Sequence, residues 1–382
     1  DGIGTAAAFK YPKGLASDST YLFVGDGSNK LVRKIELSTG DVTRIYPKEK
    51  DADGNLVSLG HLGCDIEGLT TDSTITNIYY LGCSGVWQLN IASGERKRIA
   101  GATTFGNTVD GTGTSATFNG PRGITLLDNK LYVMESAKIR VIDIANGVGE
   151  DEGVVTTLPL TFSGYSILPQ FYYSYGGITN DGTYLYVAGG KPRIHKVDLE
   201  TMTVTRFAGA DDEAGTTDGQ GSTARFKALK HLTSDGTNLY VADDNRIRKI
   251  NISTGYVSTL TGTASSGSAD GYGTSAEFNA PYGLHIEGSY LYVTDTSNHK
   301  IRKIDLRKTE TAALALHNLD DDFTTDVVVN VSSSKTAEAT VNPATLTFTT
   351  ENWETPQTVT VTGVNDNNSD GHQDYDISLS AL

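Results

Sequence analysis

The chain has 382 residues, a hydrophobic fraction of 37% and a net charge of −15, with 42 glycines and only two methionines. No apolar run approaches the roughly 18 residues that a membrane-spanning helix requires, so the sequence predicts no membrane insertion. The last 74 residues contain 12 acidic residues and one basic residue, whereas the first 308 carry a net charge of only −4. Because no basic stripe could displace counterions from phosphates, the composition argues against a nucleic-acid partner, and the abrupt change predicts a domain boundary near residue 308.

The first 308 residues contain six copies of one unit of about 50 residues. Its most regular marker is a glycine in the first short strand of each copy, replaced by His231 in the fifth copy. The spacings are 54, 55, 54, 54 and 52 residues, and the glycines are Gly14, Gly68, Gly123, Gly177 and Gly283. Each copy has three runs of strand length, as in GLHI, YLYVTD and IRKIDL of the last copy, and five copies add a fourth. Because so small a sheet cannot bury both faces alone, the repeat predicts an all-β fold, a six-bladed β-propeller over residues 1–308.

The residue pattern of these strands resembles that of a known propeller family. The pattern P-x-G-[IL] is followed by LYV-[AT]-D-x-x-N-x-K-IRKI-D, and all six copies can be aligned to it. In this respect residues 1–306 resemble the NHL-repeat propellers. The resemblance implies a propeller that serves as a binding platform more often than as an enzyme, and the fold alone does not fix the function.

Four copies begin with the same preface, D-G-x-G-x-x-A-x-F. It occupies Asp1–Phe9, Asp110–Phe118, Asp218–Phe226 and Asp270–Phe278. Its glycines permit backbone angles that a side chain would forbid, and its phenylalanine is expected to fill the gap between neighbouring blades. A calcium or phosphate loop is the alternative, although neither the bidentate glutamate of an EF-hand nor the lysine of a P-loop follows.

Strand order predicts which face of the propeller binds a ligand. If the first strand of each blade lines the central channel, the loop leading into it and the loop between strands two and three lie on one face, here called the upper face. The positions just before the channel strands are Lys13, Glu67, Arg122, Tyr175, Lys230 and Tyr282. Arg122, Tyr175 and Tyr282 are therefore predicted to contact a ligand.

The loop leading into blade four, FSGYSILPQFYYSYGG, is unusually aromatic. Aromatic rings at a surface combine apolar area with a polar tip, which suits the recognition of a sugar or a peptide. The predicted ligand-binding residues of this loop are Tyr165, Phe171, Tyr172, Tyr173 and Tyr175. The alternative is that these rings replace the missing preface and cover the blade.

The two cysteines, Cys64 and Cys83, both fall in upper-face loops of blade two. A disulfide between them is predicted, and it would fit an oxidising location outside the cytoplasm. Two unrelated thiols are the alternative, since no catalytic partner for either cysteine can be assigned from the sequence.

No catalytic residues are predicted, because the chain lacks G-x-S-x-G, H-E-x-x-H and Walker motifs. His231 and His285 lie on channel strands, an arrangement similar to that of the six-bladed amidating lyases, which hold a channel zinc with several histidines. At the His285 position other copies carry Ala16, Thr70, Thr125 and Thr179, so the channel offers few further ligands for a metal. A metal-dependent enzyme, either lyase-like or a lactone hydrolase, is the alternative to a binding protein.

Residues 309–382 are predicted to form a second domain. Alternating patterns in DVVVNVSSS, ATLTFTTENW, QTVTVTGVNDN and YDISLSA indicate a small β-sandwich. The string NPATLTFTTENWETPQTVTVTGVNDNNSDG resembles Calx-β repeats, which occur in large extracellular and bacterial surface proteins. That resemblance implies calcium as a cofactor, with Asp366, Asp370 and Asp374 as candidate ligands. An acidic loop without a bound ion is the alternative.

Both domains are expected to be short of a strand. The sixth repeat has no clear fourth strand, and the sandwich has a reduced opening strand and stops before its expected last one, so it is predicted to be partial. Residues 311–316 could fill either gap, and the sequence does not decide between them.

Together these patterns predict a secreted or cell-surface binding and adhesion module within a larger multidomain chain. Its ligand is expected to be a protein or a glycan held on the upper face.

Overall fold

The computed structural model describes residues 1–72, 74–102, 106–135, 138–162, 176–189, 191–210, 213–271, 273–307, 310–314, 327–336, 339–349, 357–363 and 377–381. The chain forms two compact units, Asp1–Glu287 with Tyr292–Lys303, and Gly288–Leu291 with Ile304–Leu382. Its helical segments in these residues are three-residue 3-10 turns, and none is long and apolar enough to cross a membrane.

The repeat folds into six antiparallel sheets, which are the blades, and the strands of each are named inner, second, third and outer in chain order. In blades one to three the strands are Pro12–Ser17, Tyr21–Asp26, Leu31–Glu36 and Asp41–Ile45; Leu69–Thr71, Asn77–Gly82, Gly85–Asn90 and Arg96–Ala100; and Gly123–Leu127, Lys130–Glu135, Lys138–Asp143 and Val154–Thr157. In blades four to six they are Ile178–Asn180, Tyr184–Gly189, Lys191–Asp198 and Thr203–Gly209; Leu229–Ser234, Asn238–Asp243, Arg246–Asn251 and Tyr256–Gly262; and Pro281–Glu287, Tyr290–Asp295 and Lys300–Asp305. A hairpin of Lys48–Lys50 and Leu56–Ser58 lies between blades one and two in the chain.

The six inner strands contact one another in chain order, and the inner strand of blade six contacts that of blade one. Polar side chains reinforce this last seam: the Thr294 hydroxyl donates to the Lys13 carbonyl at 2.9 Å, and the Thr296 hydroxyl donates to the Pro12 carbonyl at 2.7 Å. Six blades around a closed ring confirm the propeller and place the inner strands around the channel.

The recurring glycine marks the closest approach between inner strands. A Cβ atom on Gly14 would lie 2.9 Å from the Leu69 amide nitrogen, and one on Gly123 would lie 2.8 Å from that of Ile178. Real Cβ atoms do not come this near to a backbone, so a side chain at these positions would push neighbouring blades apart.

Each preface contributes to the blade that it precedes. Three of them add a two-residue strand beyond the outer strand: Gly2–Ile3, Gly111–Thr112 and Gly219–Gln220. The preface phenylalanines Phe118 and Phe226 are fully buried among apolar side chains of two successive blades, which is the gap-filling role expected of them.

The preface aspartate pairs with an arginine of the third strand in its own blade. In blade three the buried Arg140 guanidinium lies 2.9 Å from Asp110 and 2.7 Å from Glu135, above the Phe118 ring. Blades one, five and six repeat the arrangement with Arg33, Arg248 and Arg302. The preface aspartates therefore take part in ion pairs within their own blades, a structural role that needs no bound ion.

The tail forms two three-stranded sheets. One orders Glu310–Leu314, Gln357–Gly363 and Ala339–Asn342, and the other orders Thr345–Phe348, Val327–Ser333 and Ile377–Ala381. Val329, Leu346, Phe348 and Val359 are buried together between them, as in a β-sandwich. The strand Glu310–Leu314 pairs with Gln357–Gly363, so residues 310–314 complete the sandwich, and blade six has three strands among the described residues.

Candidate functional site

The upper mouth of the channel is formed by residues at the start of the inner strands. Glu67 and Arg122 lie just before theirs, as predicted, whereas Lys13, Lys230 and Tyr282 are the second residues of theirs. Five of the six positions fall within the described residues, namely Lys13, Glu67, Arg122, Lys230 and Tyr282, and Tyr175 lies outside them. The regular repeat places these side chains at equivalent heights in successive blades, because each belongs to the same register position of its own sheet.

A carboxylate joins three blades at this mouth. One oxygen of Glu67 lies 2.7 Å from the Lys13 ammonium, and the other lies 2.9 Å from Nη1 of Arg122. The side chains of Lys13 and Glu67 are mostly buried, whereas that of Arg122 is 39% exposed. Arg122 therefore presents guanidinium surface to solvent while it remains anchored to the ring.

Aromatic contacts extend the network to the last two blades. The Lys13 ammonium lies 5.9 Å from the centre of the Tyr282 ring, within reach of a cation–π attraction. The Tyr282 ring centre in turn lies 6.5 Å from that of His231. The connected set Arg122, Glu67, Lys13, Tyr282 and His231, here called the mouth arc, thus runs through blades three, two, one, six and five.

Lys230 adds a third cation at the mouth. Burial lowers its pKa, and the nearby Asp244 carboxylate acts in the opposite sense. Asp244 is itself bound at 2.8 Å by the exposed Lys227. Lys230 is therefore a partly desolvated cation close to the ion pair of Lys227 and Asp244.

Below the mouth, His285 and Ser17 connect the inner strands of blades six and one. The Ser17 hydroxyl lies 2.8 Å from Nε2 of His285 and also donates to the Glu287 carboxylate. These contacts join the inner strands of blades one and six through side chains.

The channel histidines are held neutral. Burial lowers the pKa of His231 to about 4, and burial together with the nearby His231 lowers the pKa of His285 to about 4. His285 keeps some accessible surface although protein atoms surround its ring, as expected of a side chain that lines a narrow channel. At neutral pH these rings offer hydrogen bonds but no positive charge.

A disulfide joins Cys64 to Cys83, with their Cα atoms 5.4 Å apart. It links the segment that leads into the inner strand of blade two to the turn after its second strand. Glu67 follows Cys64 by three residues, so the cross-link restrains the segment that presents the bridging carboxylate.

The structure brings together only part of the predicted site. Arg122 and Tyr282 both belong to the mouth arc. The aromatic residues Tyr165, Phe171, Tyr172, Tyr173 and Tyr175, and the acidic residues Asp366, Asp370 and Asp374, lie outside the described residues. For them the ligand-binding and calcium assignments stay predictions.

The sequence predicts the positions of Lys13, Glu67 and Lys230, but not the ion pairs that join Lys13 through Glu67 to Arg122. The available signal was the alternation of charge at one register position, Lys-Glu-Arg in successive blades, which predicts ion pairs between neighbours around a ring. It also missed Ser17 and Glu287, which occupy different slots of their repeats and therefore do not align in the sequence.

The metal-site alternative has no counterpart in the part of the chain that the structure describes. Within it, no group of three or more histidine, cysteine, aspartate or glutamate side chains could hold a metal ion. His231 and His285 are near each other, but no third ligand joins them there.

Comparison with known proteins gives relatives of the propeller. No protein-family model matches the chain. The chicken NHL repeat-containing protein 2 is 26% identical over 371 residues, covering 88% of this chain and 44% of that protein. The chain therefore spans less than half the length of this curated relative.

Solved structures share the fold at low sequence identity. An auxiliary nutrient binding protein from Bacteroides thetaiotaomicron has a TM-score of 0.56 at 18% identity, covering 78% of this chain and 69% of that one. A chain of a nidogen/laminin complex has a TM-score of 0.50 at 16% identity, covering 75% of this chain and 89% of that one. Sequence relatives and structural neighbours together support an NHL-type β-propeller for this chain.

Proposed function

We propose that this protein is a non-catalytic binding module that recognises a partner protein on the upper face of its propeller, with a glycan as the other ligand class that this face could accept. The single observation that carries the proposal is the mouth arc, in which polar and aromatic side chains from five blades meet at one end of the channel. A surface assembled from several blades is rigid, so a ligand can bind it without a large cost of ordering the protein.

Structural neighbours of this fold have several roles. One belongs to a complex of nidogen with laminin, another is described as a nutrient binding protein and a third as a putative phosphatase, so the proposal rests on the mouth arc and not on the fold. An adhesive role at the cell surface or outside the cell is part of the proposal, and the Cys64–Cys83 disulfide supports it because such cross-links persist in oxidising compartments.

The test is binding of the labelled full-length chain to peptide and glycan arrays. Arg122→Glu reverses the charge of the most exposed cation of the arc and is expected to abolish most hits. Lys130→Glu makes the same charge change at an exposed position on the opposite face, in the turn between inner and second strands, and is expected to leave the hits intact.

Two results would contradict the proposal: an array without reproducible hits, or equal loss of hits in both variants. Thermal unfolding of each variant serves as the folding control, because both substituted side chains are at least partly exposed.

A further inference from the structure

The channel mouth concentrates positive charge in a chain that is acidic overall. Three cations, Lys13, Arg122 and Lys230, and one acid, Glu67, occupy equivalent positions at the start of the inner strands, so these four residues carry a net charge of +2. The whole chain carries −15. A local reversal of sign at the end of a channel attracts anions and repels cations.

The contacts of Glu67 show that this mouth can hold a carboxylate. Its two oxygens bind two different cations from neighbouring blades, at 2.7 and 2.9 Å. A lysine has three N–H donors and an arginine has five in a planar fork that matches a carboxylate. Lys13 and Arg122 therefore have more donors than one Glu67 carboxylate can use.

An independent observation lies just below these cations. His231 is only 7% exposed, and neither of its ring nitrogens has a hydrogen-bond partner among the described residues. The Leu232 backbone raises the pKa of His231, but it makes no hydrogen bond of acceptable geometry. Buried polar groups normally have partners, so an imidazole that has none among the described residues, beside Tyr282 and next in sequence to Lys230, points to a place where a ligand atom binds.

We propose that the channel mouth is a carboxylate-binding site, in which Lys13, Arg122 and Lys230 supply positive charge and His231 supplies a neutral N–H donor from below. This inference rests on the proposed binding function and names the chemical group that the upper face recognises. The carboxylate could belong to an acidic side chain of a partner protein or to a free organic acid, and the experiment separates these sources.

The experiment is isothermal titration calorimetry of the full chain at low ionic strength. The probes are glutarate as a free acid, acetyl-Glu-Glu-amide as a peptide acid, acetyl-Gln-Gln-amide as its neutral counterpart, and inorganic phosphate. At least one of the two acids is expected to bind, the neutral peptide is not, and added salt is expected to weaken the binding.

Three variants locate the site. Arg122→Gln and Lys230→Met each remove one cation of the mouth and are expected to weaken acid binding about tenfold or more, the loss typical of one charge-assisted contact. Lys130→Met is the matched control, since it makes the same change at an exposed lysine on the opposite face, next to the turn between the inner and second strands of blade three. Lys230→Met removes a partly desolvated charge, so the variant is expected to fold.

Each outcome has a distinct meaning. Binding of glutarate alone identifies a free organic acid, and binding of the acidic peptide alone identifies an acidic segment of a partner. The inference is overturned if neither acid binds, if the neutral peptide or phosphate binds as tightly as the acids, or if Lys130→Met loses as much affinity as Lys230→Met. If neither acid binds but the arrays still give hits that depend on Arg122, the broader binding function stands without the carboxylate site.

Discussion

At the scale of single residues, one set of interactions distinguishes four blades from the other two. Blades one, three, five and six combine a preface aspartate with a third-strand arginine and an acid at the end of the second strand. Blades two and four lack the preface, and there the acid is replaced by Gly82 and Gly189 and the arginine by Trp87 and His195. The three charged residues are thus present or absent together, because a buried charge is tolerated only when its partners are in place.

Arg140→Met tests this set in blade three. The substitution leaves Glu135, which is fully buried, without its cation, and is expected to lower the free energy of unfolding by about 3–5 kcal/mol. Arg44→Met is the control, because Arg44 is 36% exposed and pairs with Asp1 at the surface, where the loss is expected to stay under about 1 kcal/mol. Urea unfolding measures both values, and equal losses would show that the buried set contributes no more than a surface pair.

At the scale of secondary-structure elements, the inner strands determine how tightly the blades fit together. Their glycines allow two backbones to meet where a side chain would not fit, and the second strands fill the spaces between blades with large apolar groups such as Phe23, Tyr80 and Tyr186. The same glycine period that identified the repeat in the sequence is therefore a consequence of strand-to-strand contact in the ring.

Gly14→Ala is expected to destabilise the propeller by about 1–3 kcal/mol, since the new methyl group would meet the Leu69 backbone and force the strands apart. Gly106→Ala is the matched control, because the nearest atom to a Cβ there lies 3.6 Å away. Chemical denaturation of the two variants gives the comparison. No loss of stability in Gly14→Ala would mean that the inner strands can separate without cost.

At the scale of the whole molecule, side-chain hydrogen bonds reinforce the boundary between blades six and one, where the ring closes. Thr294 and Thr296 of blade six donate to backbone carbonyls of blade one, and Tyr11 donates its amide to Nδ1 of His299 at 3.1 Å. The other blades have glycine, leucine, methionine or alanine where blade six has Thr294. This polar substitution occurs in the blade that completes the ring.

Buried histidines make the stability of the propeller depend on pH. Burial lowers the pKa of His195 to about 3 and those of His231 and His285 to about 4, whereas an unfolded histidine titrates near 6.5. Between pH 6.5 and 4 the unfolded chain binds more protons than the native one, so stability falls as the pH falls through this window. The expected decrease is up to about 1.4 kcal/mol per pH unit for each histidine.

His285→Gln should reduce this pH slope by up to one proton, because one of the three groups no longer titrates. His61→Gln is the control, since His61 is exposed. Urea unfolding at pH 7, 6 and 5 gives the slopes. Identical slopes in wild type and His285→Gln would show that this histidine does not couple protonation to folding.

The amino-acid sequence by itself determined the periodic part of this protein. A glycine every 52 to 55 residues, followed by short apolar runs, was enough to predict six blades. Each blade repeats the same local pattern, and none can bury both faces of its sheet without neighbouring blades. It also indicated the sandwich in the tail and the positions that precede the channel strands. The blade features recur at a fixed spacing, and the tail strands alternate apolar and polar residues; both patterns can be read without knowing which strands touch.

Only the tertiary structure decided which of these residues meet. The bridge from Lys13 through Glu67 to Arg122, the Ser17–His285 contact and the seam at Thr294 join residues that are 54, 55, 268 and 281 positions apart. The assignment of residues 310–314 to the sandwich was likewise open, because the same short strand could satisfy either sheet edge. The physical reason is that ring closure and strand pairing depend on the competition between distant partners, and no local pattern records the outcome of that competition.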